Sequence, residues 1–443
     1  MILIENGLTV NEGETFVGYL LVDGQRILDV GRGEFRGMCG GAFAGERIDA
    51  TGMLVIPGAI DDHVHFREPG LVHKGDIFHE SRAAVAGGVT SFMEMPNTVP
   101  STVSAAELER KYDLAAEHSL TNYSFYLGAT SDNIREIARL DPRHVCGVKI
   151  FMGSSTGDML LDDNRALSAV FDQSPVPVAA HCEDEGLVRR AAVAEYRARY
   201  GDEAAAELHP LVRSAEACYR STAQAVELAD RYGADLHVLH ISTARELGLF
   251  EARPLREKRI TAEACVHHLW FSDEDYARLG NLIKINPSVK SIYDREALRG
   301  GLADGRIDVV ATDHAPHTLE EKLRPYWNAP PGAPMVQHSL AAMLSMFPAE
   351  MAVEKMCHAP AVRFGLSDRG FLRQGMYADI AIVDPSSPWT VSREDILYKC
   401  GWSPLEGVTL SHRVVCTLVN GRIVNRGGVI DENFRGARLE FSR

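Results

Sequence analysis

Between residues 54 and 311 short apolar runs recur eight times, at 54–60, 91–95, 123–127, 145–151, 176–180, 236–239, 260–266 and 309–311. A short apolar run without alternation suits a strand buried on both faces. Ala- and Glu-rich segments at 105–116, 185–200 and 214–232 have the length and pattern of helices that would cover such strands. Strands that alternate with helices pair in parallel, and eight of them close into a (β/α)8 TIM-like barrel, an α/β fold. The two ends of the chain read differently. Residues 1–5, 15–21 and 25–30, and later 377–384 and 414–424, are short strand-like runs broken by Asn-Gly and Asp-Gly pairs, Asn420-Gly421 among them. Such pairs favour hairpin turns. The expected organisation is therefore a barrel over residues 54–365 and a small β-sandwich domain built from both chain ends, residues 1–53 and 366–443.

Charge narrows the partners. The chain carries 46 basic and 61 acidic residues, a net charge of −15, which argues against binding to nucleic acid phosphates or anionic lipid. A small-molecule substrate is expected, with no nucleic acid and no membrane partner, and self-association into a homo-oligomer is left open. With 45% hydrophobic and 24% charged residues, the chain can bury a large core, so wholesale disorder is excluded. No run approaches the ~18 apolar residues of a membrane span. The start, Met1-Ile2-Leu3-Ile4-Glu5-Asn6, has neither a basic segment nor a signal-like cleavage site, so a cytoplasmic protein is expected. The eight cysteines are scattered, with no CxxC pair, and read as free thiols that mostly fill the core.

The polar residues at the strand ends carry the functional information. His63 and His65 follow the first run, Asn97 the second, Lys149 ends the fourth, His181 the fifth, His240 the sixth, and Asp313 follows the eighth. In a barrel the carboxyl ends of all strands meet on one face, so these residues would surround a single pocket. Each signal alone is weak, because 17 histidines among 443 residues produce on the order of one HxH pair by chance. An HxH, two further histidines and an aspartate at four strand ends are a far more specific set. Imidazole nitrogens and a carboxylate are the ligands a Zn²⁺-like ion takes when it also keeps a position for water.

Six collinear segments then match a known pattern: Asp61-Asp62-His63-Val64-His65-Phe66-Arg67-Glu68-Pro69-Gly70, Met95-Pro96-Asn97-Thr98, Val148-Lys149-Ile150-Phe151-Met152, His181-Cys182-Glu183-Asp184, Leu239-His240-Ile241-Ser242 and Thr312-Asp313-His314-Ala315-Pro316-His317. Over essentially its whole length the chain resembles the dihydroorotases of the cyclic amidohydrolase superfamily. The resemblance implies two Zn²⁺ ions, the first held by His63, His65 and Asp313, the second by His181 and His240, with a carboxylated Lys149 bridging them. A carbamate formed from lysine and CO₂ is anionic and suited to that position, whereas a free ammonium would repel both ions. Read from the residues alone, Lys149 could equally cap its strand or pair with Glu183 or Asp184, and Asp158 is the nearest alternative bridge.

The superfamily also contains allantoinases and hydantoinases or dihydropyrimidinases, and the metal motif does not separate them. Arg67 offers a guanidinium fork to a planar carboxylate, and Asn97 and His317 match the other carboxylate-binding positions of dihydroorotases. Without the resemblance, Arg67 could pair with Glu68 or Asp76, and Asn97 could be a turn residue after Met95-Pro96. Asn286, in Ile285-Asn286-Pro287, matches a family element near the substrate, and His267 and His268 match supporting histidines that are not ligands. Residues 329–338 depart from the Gly-rich, Glu-Thr-containing segment common in the family, so the resemblance assigns them no ring contacts.

The implied activity is reversible hydrolysis of L-dihydroorotate to N-carbamoyl-L-aspartate by a zinc-bridged hydroxide, a step of de novo pyrimidine biosynthesis. The metals would stand about 3.5–4 Å apart, and Asp313 would be the catalytic proton shuttle. Ser242 follows His240, but no acid–His–Ser arrangement surrounds it. The rivals are an allantoinase or hydantoinase, and a catalytically inactive dihydroorotase-like assembly partner. The last is disfavoured because every candidate ligand is present.

Overall fold

The computed structural model describes residues 1–37, 43–152, 159–161 and 163–443. Cys39 and Asp158 lie outside the described residues.

Hydrogen bonding links nine strands from both chain ends into one sheet. Ile2–Asn11, Glu14–Asp23 and Arg26–Arg32 form antiparallel neighbours, and Ile380–Asp384, Arg413–Val419 and Arg422–Arg426 do the same from the other end. Leu54–Pro57 joins the two groups, parallel to Ile2–Asn11 and antiparallel to Ile380–Asp384. The Asn420-Gly421 pair forms the tight turn between the strands ending at Val419 and beginning at Arg422, with φ of 49° and 74°. Those left-handed angles match the twist of a two-residue hairpin. Alternation sorts the sheet's side chains: Val55, Ile380 and Ile382 enter one core, while Leu54, Ile56, Ala381 and Val383 enter another, shared with the helices and the parallel strands.

The parallel strands follow. Ala59–Val64, Val89–Glu94 and Asn122–Phe125 pair in sequence order, as do Leu127–Gly128, Val148–Met152, Val178–Cys182, Leu236–Val238, Ile260–Cys265 and Val309–Ala311. A parallel bridge from Val64 to His314 and a His65 N–H bond to the His314 carbonyl (2.8 Å) tie the exit of the last strand to that of the first. The first apolar run, 54–60, is thus divided: its beginning belongs to the nine-stranded sheet, and its end starts the parallel set. Gly58 stands at the division, where a Cβ would lie 2.3 Å from the Thr90 side chain.

Helices begin where capping residues stand. Ser104 accepts from the Glu107 N–H at the start of Ala105–His118, and Ser214 accepts from the Ala217 N–H at the start of Ala215–Tyr232, which ends on left-handed Gly233. The stretch 185–200 is less regular than its composition suggests, because an α-helical turn, Glu185–Arg189, passes into a π-helical stretch, Arg190–Arg197. Among the described residues no helix is long and apolar enough to cross a membrane, and the described cysteines are free thiols.

Candidate metal and substrate site

One cavity of about 190 Å³ is lined by His63, His65, Arg67, Asn97, Lys149, His181, His240, Asn286, Asp313 and His317. The parallel strands bring together residues separated by as many as 254 positions, which is why the strand ends, and not local motifs, define the pocket. Lys74, Phe151, Ala315 and the backbone turn Pro330-Pro331-Gly332 complete the wall. Three of the lining residues, Arg67 (φ 72°), His240 (φ 38°) and Asp313 (φ 45°), hold left-handed backbone conformations. Each costs a non-glycine residue of order 1–3 kcal/mol, so the surrounding structure must impose it.

The imidazoles are oriented by acceptors behind them. His63 Nδ1 lies 2.9 Å from Glu263 Oε1, His65 Nδ1 lies 2.6 Å from Asn97 Oδ1, and His181 Nε2 lies 3.0 Å from Glu183 Oε2. Each of those nitrogens therefore donates its N–H, and in the neutral ring the other nitrogen keeps a lone pair. The lone pairs point inward. His63 Nε2 and His65 Nε2 stand 3.3 and 3.0 Å from the same oxygen, Asp313 Oδ1, and His181 Nδ1 stands 3.0 Å from His240 Nε2. Lone pairs converging on a carboxylate oxygen repel unless a proton or a metal cation lies among them. The donor set fits divalent zinc: four imidazoles, a carboxylate and a buried lysine, all within the cavity wall. His63, His240 and Asp313 place their ligand atoms within 4.8 Å of one another.

The electrostatics agree. Burial alone would raise the Asp313 carboxyl, but His63 and His65 hold it well below the usual carboxylate range. Burial lowers His65 to about 4. His63 is raised, since the pull of Glu263 and Asp313 overcomes burial. Burial brings the Lys149 ammonium down to about 8, against the opposing pull of Asp313 and Glu263.

Several of the alternatives left open by the sequence are resolved by these contacts. Glu183 is engaged by His181 and Arg213, and Asp184 accepts from the Leu187 N–H to cap a helix. Lys149 Nζ instead lies 4.6 Å over the Phe151 ring. Arg67 donates from Nε to the Pro316 carbonyl (3.0 Å) and places Nη2 3.2 Å from His317 Nε2, while Asn97 orients His65. Asn286 Oδ1 is 3.1 Å from His209 Nε2. His268 Nε2 donates to the Pro287 carbonyl (3.0 Å), and buried His267 stands beside it, their ring centroids 4.3 Å apart. The 329–338 segment does line the cavity, and two buried lysines tie it down: Lys322 Nζ donates to the carbonyls of Lys284, Pro330 and Gly332, and Lys284 Nζ to those of Tyr326 and Ala329.

Sequence reasoning missed Glu263, Lys74 and the fully buried Asp62–His237 pair (3.2 Å). A charged residue inside the apolar run 260–266 was the available signal for Glu263, since an ionised group is rarely buried without a partner. Glu263 contacts two candidate ligand residues at once, through His63 Nδ1 and the His240 backbone N–H (2.9 Å). Glu263→Ala is expected to weaken zinc binding roughly 10- to 100-fold, the usual cost of removing a group that orients a ligand. Competition with a chromogenic chelator measures it.

A family model described as the amidohydrolase family matches residues 54–424. The chain is 34% identical over 438 residues to a dihydroorotase of Methanothermobacter thermautotrophicus, covering 97% of this chain and 94% of that one. It is also 34% identical over 397 residues to an allantoinase of Bacillus velezensis, covering 86% of each. The fold is shared with the L-hydantoinase of Arthrobacter aurescens, with a TM-score of 0.88, 24% identity and 97% of each chain covered.

Proposed function

The chain belongs to the amidohydrolase family and is a hydrolase of cyclic amides, and we propose that it is a dihydroorotase: an eight-stranded barrel with a flanking β-sandwich that interconverts L-dihydroorotate and N-carbamoyl-L-aspartate in pyrimidine biosynthesis. Equal identity to a dihydroorotase and an allantoinase leaves the substrate to be argued from the pocket. The observation that carries the reading is the cationic corner of the cavity, where Arg67 and Lys74 flank His317 within 3.2 Å. A ring that bears a carboxylate needs such a corner; allantoin and hydantoin bear none. In a protein of net charge −15, an anionic substrate also needs local positive potential to enter.

His63, His65 and Asp313 would hold one zinc ion and His181 and His240 a second, with carboxylated Lys149 between them. When bound, such ions supply Lewis acidity that lowers the pKa of a water toward neutrality and polarises the amide carbonyl. The protein does the rest. Arg67, Asn97 and His317 grip the ring carboxylate, Asn286 faces the ring, and the carbonyl carbon is presented to water on the side of Asp313. Water adds to that carbon, the ring C–N bond breaks, and Asp313 takes a proton from the water and passes it to the departing ring nitrogen. The new carboxylic acid then ionises. Ring closure is the same path reversed.

Assaying the zinc-loaded protein against L-dihydroorotate, allantoin and hydantoin tests the assignment; preferred turnover of allantoin or hydantoin overturns it, and absence of turnover with all three supports the inactive assembly partner instead. Arg67→Met is the sharper probe. Losing a charge-assisted contact to a buried carboxylate costs about 2–5 kcal/mol, so kcat/KM for dihydroorotate should fall by roughly two to three orders of magnitude. Zinc content should stay at the parent level. Normal handling of dihydroorotate by this variant would reject the substrate while leaving the reaction class standing.

A further inference from the structure

We infer that Lys74 is a positioning residue for substrate recognition, which holds His317 in the tautomer that leaves the Arg67 N–H donors free for an anionic substrate. The inference rests on the dihydroorotase reading and extends it to a residue outside the matched motifs. Lys74 Nζ lies 3.0 Å from His317 Nδ1 and 3.2 Å from Glu321 Oε1, with its side chain only 14% exposed. An ammonium can only donate, so the nitrogen it contacts must be the one carrying the lone pair. The ring proton is then on Nε2, which has the Pro331 carbonyl as acceptor at 3.0 Å.

Consequences for Arg67 follow from the same geometry. Arg67 Nη2 stands 3.2 Å from His317 Nε2, and in this tautomer it meets an N–H and not a lone pair. The guanidinium and the imidazole therefore do not satisfy each other: the imidazole N–H goes to the Pro331 carbonyl, and the Arg67 Nη2 donors can turn to a carboxylate. His317 is fixed from behind as well, because Trp402 Nε1 donates to its carbonyl at 2.7 Å. Burial together with the nearby Arg67, Lys322 and Lys74 charges keeps the ring neutral, so tautomer choice is a real variable. Without the ammonium, the other tautomer gains a partner: Nδ1–H could face Glu321 Oε2, now 3.6 Å away. Nε2 would then exchange the Pro331 carbonyl for an Arg67 N–H as its partner, and that Arg67 donor would be lost to the substrate.

The test uses the zinc-loaded full chain, wild type and the variants Lys74→Met and Lys74→Arg. Orotate, a planar carboxylate, serves as the inhibitor probe. Lys74→Met should raise the orotate inhibition constant and the KM for dihydroorotate at least tenfold, with the loss in KM and not in kcat. Lys74→Arg, which keeps a cationic donor, should restore both to within about threefold. ¹⁵N-histidine NMR should show the His317 proton on Nε2 in the parent and on Nδ1 in Lys74→Met, with His317→Gln identifying the signal. An unchanged tautomer in Lys74→Met, or unchanged orotate binding, overturns the inference. A parent enzyme that ignores dihydroorotate would instead overturn the substrate assignment, a different result in a different protein sample.

Discussion

Replacing Asp313 with asparagine is expected to cut turnover in both directions by about a thousandfold or more while leaving the fold intact. The side chains are isosteric, and the amide oxygen can keep the place of Oδ1 near His63 and His65. An amide cannot accept and return a proton at the required energy, and general acid–base catalysis alone is worth about 10²–10⁴-fold. The pH dependence should carry the same signature. Burial raises the Asp313 carboxyl, but the histidines outweigh it and hold it well below the usual range, so the resting group is ionised throughout pH 6–9 and competent as a base. Opening dihydroorotate, a monoanion, yields a dianion and a proton, so the equilibrium must move about tenfold per pH unit, or ~1.4 kcal/mol, toward the open form as pH rises. Opening needs the ionised carboxylate, which is present across this whole range, whereas closure needs a proton delivered through it and so loses ground as pH rises. The ratio of opening to closing rates should therefore grow with pH, and the opening rate should show no step from Asp313 titration between pH 6 and 9. An Asp313→Asn enzyme with a tenth of parental turnover would remove Asp313 from the shuttle role.

The strand ends were the legible part of this chain. His63, His65, Lys149, His181, His240 and Asp313 follow apolar runs closely enough that one topological rule places them around one pocket, and all of them line the same cavity. What stayed hidden depends on pairings that spacing does not encode. Glu263 meets His63 across 200 positions, and Lys74 meets His317 across 243. Neither partner betrays the other locally. The division of the run 54–60 at Gly58 was hidden for another reason: an apolar segment reads the same whether it joins an antiparallel or a parallel neighbour. The left-handed backbone at Arg67, His240 and Asp313 has no sequence signal, because glycine would mark such angles and the site needs side chains there.

Lys149→Ala should be as damaging as the Asp313 change, with loss of at least about a thousandfold in turnover and of bound zinc together. Lys149 sits on the strand Val148–Met152, where its neighbour Phe151 is in register with His181, and its side chain is almost fully buried. Burial has lowered its pKa to about 8, which eases loss of the proton near neutral pH. That amine can add to CO₂, forming an N–C bond and releasing a proton, which converts a cation into an anionic oxygen ligand. Left as an ammonium, it would be a positive charge facing the four imidazoles proposed to hold dications. The competing role, an ion pair with Glu183, is disfavoured because Glu183 already serves His181 and Arg213, which hold it down to about 2 against burial. Small carboxylic acids such as acetate or propionate fit the space that the alanine leaves and can supply the missing oxygens. Adding them should recover both zinc content and part of the activity of Lys149→Ala, in proportion to their concentration. A Lys149→Ala protein with full zinc content and parental turnover in carboxylate-free buffer would reduce Lys149 to a buried strand residue and leave the bridging position to another group.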